Sequence, residues 1–437
     1  MRNLVATWAA VILMVAAGVP AARAAEPSAG GEPSPNQSPA HWFKGNLHTH
    51  SLWSDGDDFP EMIVDWYKSH GYDFLALSDH NVLSEGERWI PTHDAKKPSL
   101  SMAIGKYRKR FGDSVEVRQS NDKGEEIRLQ PLSKVRTMFE APGKFMMIQA
   151  EEVSDKFGEK PVHMGAVNLK EVVQARHGNS VREVIANNLR AIEEEADRTG
   201  VPAIAHLNHP NFGWGVTAED LAAVVEEHFF ECYNGHPIVH HLGDAQHPSV
   251  EHIWDIANTI RLAQLSSEPL MGLGSDDTHN YHVTGMNRAT PGRGWVMVRA
   301  AELKPEAIVA AIKKGDFYAS SGVTLKDVRY DAASKTLSLE INPDGDAAFT
   351  TQFVGTPRNF ADSGKTPLNS DKVGAVFATS TGTSASYTLK GDELYVRAVV
   401  TSNKPPANPS FENQKQQAWT QPVGWALENS ADRRKSP

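Results

Sequence analysis

The stretch Asn46-Leu47-His48-Thr49-His50-Ser51-Leu52-Trp53-Ser54-Asp55-Gly56 indicates both the fold and the chemistry of this chain. His48 and His50 are one residue apart, and side chains at that spacing on a strand point to the same face. Asp55 follows within a turn that Gly56 permits. Neutral imidazole and carboxylate are ligands that suit zinc, manganese or iron. The stretch therefore predicts one side of a metal site, although a His-x-His motif alone is weak evidence.

A second cluster, Ser78-Asp79-His80-Asn81, follows at the distance of one strand-helix-strand unit. The segment 60–70 is predicted to be a helix, because Pro60 suits a first helical turn and Gly71 suits a helix end. The apolar run 72–77 then predicts a strand. His48 and His80 are therefore expected on consecutive, parallel strands.

Ligand-type residues recur after apolar strands along the chain. Residues of this kind are expected at or just after the ends of successive strands: His80, Glu151-Glu152, His206 to His209, and Asp277 with His279. Strands and helices alternate over 45–320, which predicts a parallel α/β sheet closed, or nearly closed, as a barrel. Catalytic residues gather at the C-terminal ends of barrel strands, so these residues are predicted to share one site.

The ordered motifs between residues 45 and 320 resemble those of the PHP superfamily, the polymerase and histidinol phosphatase superfamily of metal-dependent phosphoesterases. The motifs are His48-Thr49-His50 with Ser54-Asp55-Gly56, Ser78-Asp79-His80-Asn81, Glu152-Val153-Ser154, His163-Met164-Gly165, His209-Pro210 and Asp277-Thr278-His279. The resemblance implies a distorted (β/α)7 TIM-like barrel. It also implies two or three divalent metal ions, of zinc, manganese or iron.

The resemblance further implies the identity of the ligands. The nine expected ligands are His48, His50, Asp55, His80, Glu152, His163, His209, Asp277 and His279. We assign catalytic roles to Asp79, Glu152 and His279, with Glu152 bridging two ions. Clustered divalent ions acidify water, so a metal-activated hydroxide is the expected nucleophile. The sequence shows neither a nucleophilic serine in a Gly-x-Ser-x-Gly setting nor a glycine-rich phosphate loop.

Two pairs of candidates compete for ligand positions. Glu151 and Glu152 point to opposite faces of a strand, so one ligand is expected, and the following Val153-Ser154 favours Glu152. His206 and His209 compete similarly, and the resemblance favours His209 because it directly precedes proline. His206 is then expected in the core or beside a ligand.

Other residues have open assignments. Arg288 and Arg293 are candidates for a phosphate-binding cation. Trp214 is as compatible with stacking on a substrate ring as with a place in the core. Glu231 either touches a ligand or ends its strand. A solvated loop or helix face is expected for five irregularly spaced histidines: His236, His240, His241, His247 and His252.

The N-terminus has the composition of a secretory leader. Arg2 precedes an apolar run that Pro20 ends, and Ala22-Arg23-Ala24 offers small residues at a cleavage site. We therefore expect a signal peptide at 1–24, too short to span a membrane, a flexible tether at 25–40, and a periplasmic or secreted protein.

Cleavage would move the net charge from −10 to −12, which argues against nucleic acid as the main partner. Cys232 is expected to be a small buried hydrophobe.

The predicted organisation after the tether has two parts. Residues 41–322 are expected to form the hydrolase domain, with a polar insertion at about 84–143, and 323–437 a small all-β domain, a sandwich. The expected function is hydrolysis of a small phosphate mono- or diester by an exported enzyme. The alternatives are hydrolysis of a non-phosphate ester or amide bond, and a metal protein whose C-terminal domain contacts the cell envelope or a glycan.

Overall fold

The computed structural model describes residues 40–94, 98–361, 368 and 370–427. The leader predicted at 1–24 and the tether predicted at 25–40 lie outside these ranges, apart from Ala40. Across the described ranges, no helix has both the length and the apolar character needed to cross a membrane.

The N-terminal three quarters of the chain alternates between strands and helices. In chain order these are β1 (His41–Asn46), α1 (Pro60–Ser69), β2 (Phe74–Leu77), β3 (Arg88–Pro91), α2 (Leu100–Phe111), β4 (Val117–Ser120), β5 (Gly124–Leu129), α3 (Leu132–Phe139), β6 (Met146–Phe157), β7 (Lys160–Val167), α4 (Val181–Thr199), β8 (Ile204–Leu207), α5 (Ala218–Ala223), β9 (Phe229–Asn234), α6 (Val250–Ile260), β10 (Met271–Ser275), β11 (Trp295–Ala300), α7 (Pro305–Lys313) and β12 (Phe317–Ser320). Short helical turns cover Gly112–Ser114, Phe212–Trp214 and Arg261–Leu265.

The rest of the described chain consists of strands. They are β13 (Leu325–Asp331), β14 (Thr336–Ile341), β15 (Phe349–Pro357), β16 (Ala375–Thr381), β17 (Ser384–Thr388), β18 (Glu393–Ser402) and β19 (Gln417–Thr420). Strands β13, β14 and β17 form a separate three-stranded sheet. The ring of Tyr387 on β17 stacks on Phe353 of β15, with ring centroids 5.5 Å apart. The small sheet therefore packs on the large one.

The large sheet has thirteen strands in the order β10-β9-β8-β7-β6-β2-β1-β11-β12-β19-β18-β15-β16. Strands β1, β2 and β6 run parallel, as do β8, β9 and β10. Strand β7 is antiparallel to both neighbours, because only Gly158 and Glu159 connect it to β6 and so short a connection can only form a hairpin. The expected α/β class is confirmed, but the expected parallel barrel is not, because β7 makes the sheet mixed and pairing among the described strands leaves β10 and β16 as edges.

The chain after β10 nevertheless returns to the chain after β1. The amide of Asp277 donates to the carbonyl of His48 at 3.0 Å, and the amide of His50 donates to the carbonyl of Thr278 at 3.0 Å. These two bonds join segments that follow the strands rather than the strands themselves. The first and last predicted metal motifs are therefore adjacent in an open sheet.

Local sequence explains where helices α1 and α4 begin. Pro60 occupies the first turn of α1, and Ile63, Val64 and Tyr67 are buried against the sheet. The Ser180 hydroxyl accepts the amide of Glu183 at the start of α4, which is one half of a capping box. Both features agree with the helices predicted from the sequence.

The insertion at 84–143 is folded. It contributes α2, α3 and a three-stranded sheet in the order β3-β5-β4. Its apolar residues pack with the first metal motif: Tyr107 stacks on Phe59 at 4.0 Å, and Leu52 and Trp53 belong to the same buried cluster. The insertion therefore supports the loop that carries Asp55.

The C-terminal strands continue the large sheet. Strand β12 pairs with β19, and β19 pairs with β18. Asp255 on α6 accepts two hydrogen bonds from the buried Arg397 of β18, at 3.0 and 2.7 Å, and one from the Tyr395 hydroxyl at 2.6 Å. The domain boundary at 322 stays a prediction, and both sides of it share a core and a sheet.

Candidate metal centre

All nine expected ligands converge at one end of the sheet. They form four overlapping groups, and within each group one donor atom from each residue lies within 4.8 Å of those of the others. The groups are His48-His50-Glu152, His48-His209-Asp277, His80-Glu152-His163 and His50-Asp55-His80-His279. No other cluster of this kind is found among the described residues.

The buried centre of the site is formed by two histidines and two carboxylates. The Nε2 atom of His48 lies 3.3 Å from both Glu152 Oε1 and Asp277 Oδ1. The Nε2 atom of His50 lies 3.2 Å from Asp277 Oδ1 and 3.4 Å from Glu152 Oε2. Both histidines follow β1 rather than lying on it, which corrects the expected strand position.

These contacts fit shared ions better than hydrogen bonds. His48 Nε2 and both ring nitrogens of His50 are buried and have no hydrogen-bond partner in the described structure. Two atoms each about 2.1 Å from one ion are about 3.0–3.4 Å apart in octahedral or tetrahedral coordination. The observed separations of 3.2–3.4 Å agree with this, so the residues fit divalent metal ions.

Glu152 is the carboxylate with the most imidazole neighbours. Besides His48 and His50, it lies 2.8 Å from His80 Nδ1 and 3.1 Å from both His163 Nδ1 and His209 Nε2. Burial favours its neutral form, but the charges of His48, His163 and His80 outweigh burial and hold the pKa of Glu152 well below its usual range. Glu152 is therefore a carboxylate in position to bridge ions.

The open side of the site consists of Asp55, His80 and His279. The Nε2 atom of His279 lies 3.4 Å from Asp55 Oδ1, and that of His80 lies 3.6 Å from Asp55 Oδ2. The Asp55 side chain is 56% exposed, whereas Glu152 is 1% exposed. The cluster is therefore open to solvent on the side of Asp55.

The structure separates the competing candidates. The Glu151 side chain points away from the cluster and accepts the amide of Val173 at 2.7 Å. His206 is buried beside Gly165, outside all four groups, and burial lowers its pKa to about 4. Glu152 and His209 are the members of each pair that lie among the grouped donors.

Asp79 lies behind the cluster rather than in it. Its carboxylate accepts the amide and hydroxyl of Ser51 at 2.8 and 2.7 Å and the hydroxyl of Ser54 at 2.6 Å. These bonds shape the loop that leads to Asp55. The catalytic role of Asp79 stays a prediction, and its contacts are those of a residue that positions this loop.

The phosphate-binding role considered for Arg293 is wrong. Its side chain is fully buried and donates to the carbonyls of Gly235 and Gly285, each at 2.9 Å. Arg288 is exposed on the same loop. In the described part of the chain, all the ion-pair partners of Asp55, Glu152 and Asp277 are histidines.

The aromatic and histidine-rich loops also differ from expectation. The indole of Trp214 stacks on the imidazoles of His240 and His247, with centroids 4.4 and 3.9 Å away. The ring considered for stacking on a substrate is therefore in contact with two imidazoles of the protein. His241 is buried against Phe411. His236, for which a solvated position is expected, lies beside the cluster with its ring 5.3 Å from His279.

Two buried polar residues complete the site. The amide of Asn208 donates to Glu152 Oε1 at 2.8 Å. Glu231 on β9 accepts from His48 Nδ1 at 2.8 Å, which makes it a direct neighbour of an expected ligand. The sequence contains one indication of this role, because Glu231 is a charged residue within the apolar strand Phe229–Asn234.

Comparisons with known proteins add little. No family model and no curated protein matches the chain. One similar solved structure is a two-domain protein from Bacteroides vulgatus containing a predicted PHP-like metal-dependent phosphoesterase; it is 14% identical, covers 90% of this chain and all of its own, and has a TM-score of 0.38. A candidate metal-dependent phosphoesterase from Bifidobacterium adolescentis is 12% identical, covers 62% of this chain and 96% of its own, and has a TM-score of 0.29. At such TM-scores these likenesses carry no argument about function.

Proposed function

We propose that this protein is a PHP-type metal-dependent phosphoesterase that hydrolyses a small phosphate mono- or diester. One observation carries the proposal: nine residues selected from motifs spread between 48 and 279 supply the donor atoms of four overlapping groups, each within 4.8 Å. Solvated loops have no physical reason to bring six histidines and three carboxylates to one point. A shared set of divalent ions provides that reason.

The four groups define which residues would hold the ions. His48, His50, Asp277 and Glu152 form the buried part, His80 and His163 extend it along Glu152, and the open part ends at Asp55 and His279. Zinc, manganese or iron bound there would supply a hydroxide at neutral pH and polarise a phosphoryl oxygen. A substrate would approach from the exposed side of the site, at Asp55. The buried side chains exclude water from the rest of the site.

The charge balance supports an anionic substrate. The carboxylates of Asp55, Glu152 and Asp277, together with that of Glu231 behind His48, offset four of the six positive charges that three divalent ions would bring. Neutral imidazoles add no charge; burial lowers the pKa of His50 to about 3. The surplus positive charge could receive a phosphate group without an arginine.

A second candidate uses the same residues on a non-phosphate ester or amide bond. The observation that favours it is the engagement of Arg293 by backbone carbonyls, which leaves the cluster without a described cationic partner from the protein. Lactones, esters and amides should therefore be assayed beside phosphate esters. Turnover of one of these with no turnover of any phosphate ester would favour this candidate.

A third proposal concerns the C-terminal strands as a glycan or envelope contact. A groove of about 640 Å³ on the small sheet is lined by hydroxyl and charged side chains, among them Arg329, Ser338 and Ser386. Because β19 pairs with β12, the binding test requires the full chain rather than residues 323–437 alone. Absence of pull-down on envelope polysaccharide would count against it.

Export is part of the proposal. The apolar run between Arg2 and Pro20, followed by Ala22-Arg23-Ala24, supports a cleaved leader. N-terminal sequencing of protein from an exporting bacterial host should start at Ala25. A mature chain that starts at Met1 and stays inside the cell would contradict export.

The phosphoesterase proposal is tested on purified protein of residues 25–437. Metal content is measured first, and then a panel of chromogenic mono- and diesters is assayed before chelation, after chelation, and after manganese or zinc is restored. We expect activity that chelation removes and metal restores. Bound metal without turnover of any phosphate ester would overturn the proposal.

A further inference from the structure

The carboxylate of Glu231 has an unusual set of contacts. Its Oε1 atom accepts from His48 Nδ1 at 2.8 Å and from the Ser275 hydroxyl at 2.5 Å. Its Oε2 atom accepts from the backbone amide of His209 at 2.8 Å and from the side-chain amide of Asn234 at 2.8 Å. The side chain is completely buried. Each oxygen thus receives two donors, which fills the acceptor capacity of a carboxylate.

The donors come from four different segments at one end of the sheet. His48 follows β1, His209 follows β8, Asn234 ends β9 and Ser275 ends β10. Two of these four residues are themselves expected metal ligands. The amide of Asn234 also donates to Oδ2 of Asp277 at 3.1 Å, so the network reaches a third ligand.

The contact with His48 determines which ring nitrogen faces the cluster. A carboxylate can only accept, so Nδ1 of His48 must carry the proton. The lone pair of neutral His48 is then on Nε2, the atom that lies 3.3 Å from Glu152 and from Asp277. A carboxylate behind a ligating histidine also makes that histidine a stronger ligand.

The contact with His209 acts on the backbone. His209 has a φ of +20°, in a region that side-chain-bearing residues seldom adopt. Such a conformation persists only where surrounding bonds hold it. The bond from the His209 amide to Glu231 is one of these, and it directs the imidazole toward Glu152.

We propose that Glu231 is a positioning residue that orients three metal ligands at once: His48 by its tautomer, His209 by its backbone, and Asp277 through Asn234. The inference rests on the metal site of the proposed function and goes beyond it, because Glu231 belongs to none of the ligand groups. Its effect is on the affinity for metal, and activity follows from that.

The substitution Glu231→Gln tests this role with little change of shape. A glutamine has one carbonyl oxygen and one amide group, so in either orientation its amide faces two donors. We expect manganese or zinc, titrated alone into metal-free protein at constant pH, to bind about 10- to 100-fold more weakly than in the wild type. In addition, the Nδ1 proton of His48, followed by long-range ¹H–¹⁵N NMR, should lose its carboxylate-bonded chemical shift.

Glu227→Gln is the matched control. Glu227 is an equally buried glutamate four residues earlier, accepts the amide of Phe229 at 2.9 Å, and lies outside the ligand groups. Its metal affinity should stay within about twofold of the wild type. Ser275→Ala removes one donor and no charge, so it serves if Glu231→Gln fails to fold; we expect a several-fold weaker affinity.

The outcomes separate the two proposals. Wild-type protein that binds no metal would overturn the proposed function together with this inference. Wild-type protein that binds metal, with Glu231→Gln or a folded Ser275→Ala of equal affinity and an unchanged His48 spectrum, would overturn the inference alone. An equal loss of metal affinity in Glu227→Gln would also overturn it, because the removal of any buried carboxylate in this region would then weaken metal binding as much as the removal of Glu231.

Discussion

The imidazole of His50 stacks on that of His279, with ring centroids 4.0 Å apart and the ring planes inclined by 22°. His50 belongs to the first metal motif and His279 to the last. Their contact joins the buried and the open parts of the site, because His50 also lies 3.4 Å from Glu152 and His279 lies 3.4 Å from Asp55. The two parts are therefore expected to act as one centre.

Removal of His279, a ligand on the open side of the site, should reduce turnover more than it reduces metal binding. In His279→Ala, the donors around His48, Glu152 and Asp277 remain, so we expect the loss of at most one ion per chain. Turnover should fall by at least about 100-fold, because an ion that contacts the substrate is lost or misplaced. Metal analysis and rates on the same sample provide the check, and wild-type rates in this variant would contradict the assignment.

Metal affinity should rise with pH. Burial opposes charge on His80, but Glu152 and Asp55 outweigh it and raise the pKa of His80 to about 10; Asp277, Glu231 and Glu152 likewise raise the pKa of His48. At neutral pH both imidazoles of the metal-free protein therefore carry protons that an ion must displace. One or two displaced protons predict an affinity about 10- to 100-fold higher per pH unit. Titrations of manganese at pH 6 and 7 measure this, and equal affinities would contradict it.

The insertion introduces a pH dependence of stability that is independent of metal. Burial raises the pKa of Glu61 to about 7, and the Tyr107 hydroxyl of α2 donates to it at 2.5 Å. The folded protein therefore holds this proton more tightly than the unfolded chain, whose glutamate titrates near 4.5. The stabilisation is complete below pH 4.5 and is lost as the pH rises to about 7, a change of about 3 kcal/mol.

Glu61→Gln should remove that component, since glutamine keeps an oxygen for Tyr107 and cannot titrate. Urea unfolding of both proteins at several pH values between 4.5 and 7, in the presence of chelator, gives the difference. If the difference in unfolding free energy is constant across this range, Glu61 is not the titrating group.

The connection between the two halves of the chain depends on a buried ion pair. Arg397 donates twice to Asp255, and both side chains are at most 4% exposed. Arg397→Met leaves Asp255 as a buried charge without this partner, so we expect a loss of about 3–5 kcal/mol of unfolding free energy. The control is Arg329→Met, because Arg329 pairs with Asp327 at the surface, is 75% exposed, and should change stability by less than about 1 kcal/mol. Similar values for the two variants would refute the role of the buried pair.

The sequence was most informative about which residues meet. Ligand-type side chains recurring after apolar strands predicted the convergence of His48, His80 and Asp277, because the C-terminal ends of parallel strands share one edge of a sheet. Glu152 also joins them, but it lies within β6, which continues to Phe157, rather than at the expected strand end. Strand direction was the weaker inference. Alternation of strands and helices predicts a parallel barrel, but the hairpin at Gly158 reverses β7, and pairing among the described strands ends at β10 and β16.

Contacts that depend on long-range packing were beyond the sequence. Arg293 is a candidate phosphate-binding cation from its place after the last motif, yet its guanidinium donates to the carbonyls of Gly285 on the same loop and of Gly235, 58 residues earlier. His236 lies in an irregular loop, and only the folded chain places it near His279. The sequence leaves open whether Glu231 touches a ligand or ends its strand, because its four donors come from segments that the sequence alone could not align.

The metal content of His48→Ala tests the central claim most directly. Nε2 of His48 lies 3.3 Å from both Glu152 and Asp277, so its loss opens the buried part of the site. His252→Ala is the control, because His252 lies on α6 outside the cluster. After dialysis against a manganese or zinc buffer, the wild type and His252→Ala should hold two or three ions per chain, and His48→Ala should hold fewer and show no phosphoesterase turnover, with an unchanged far-UV circular dichroism spectrum. Wild-type metal stoichiometry and rate in His48→Ala would contradict the account.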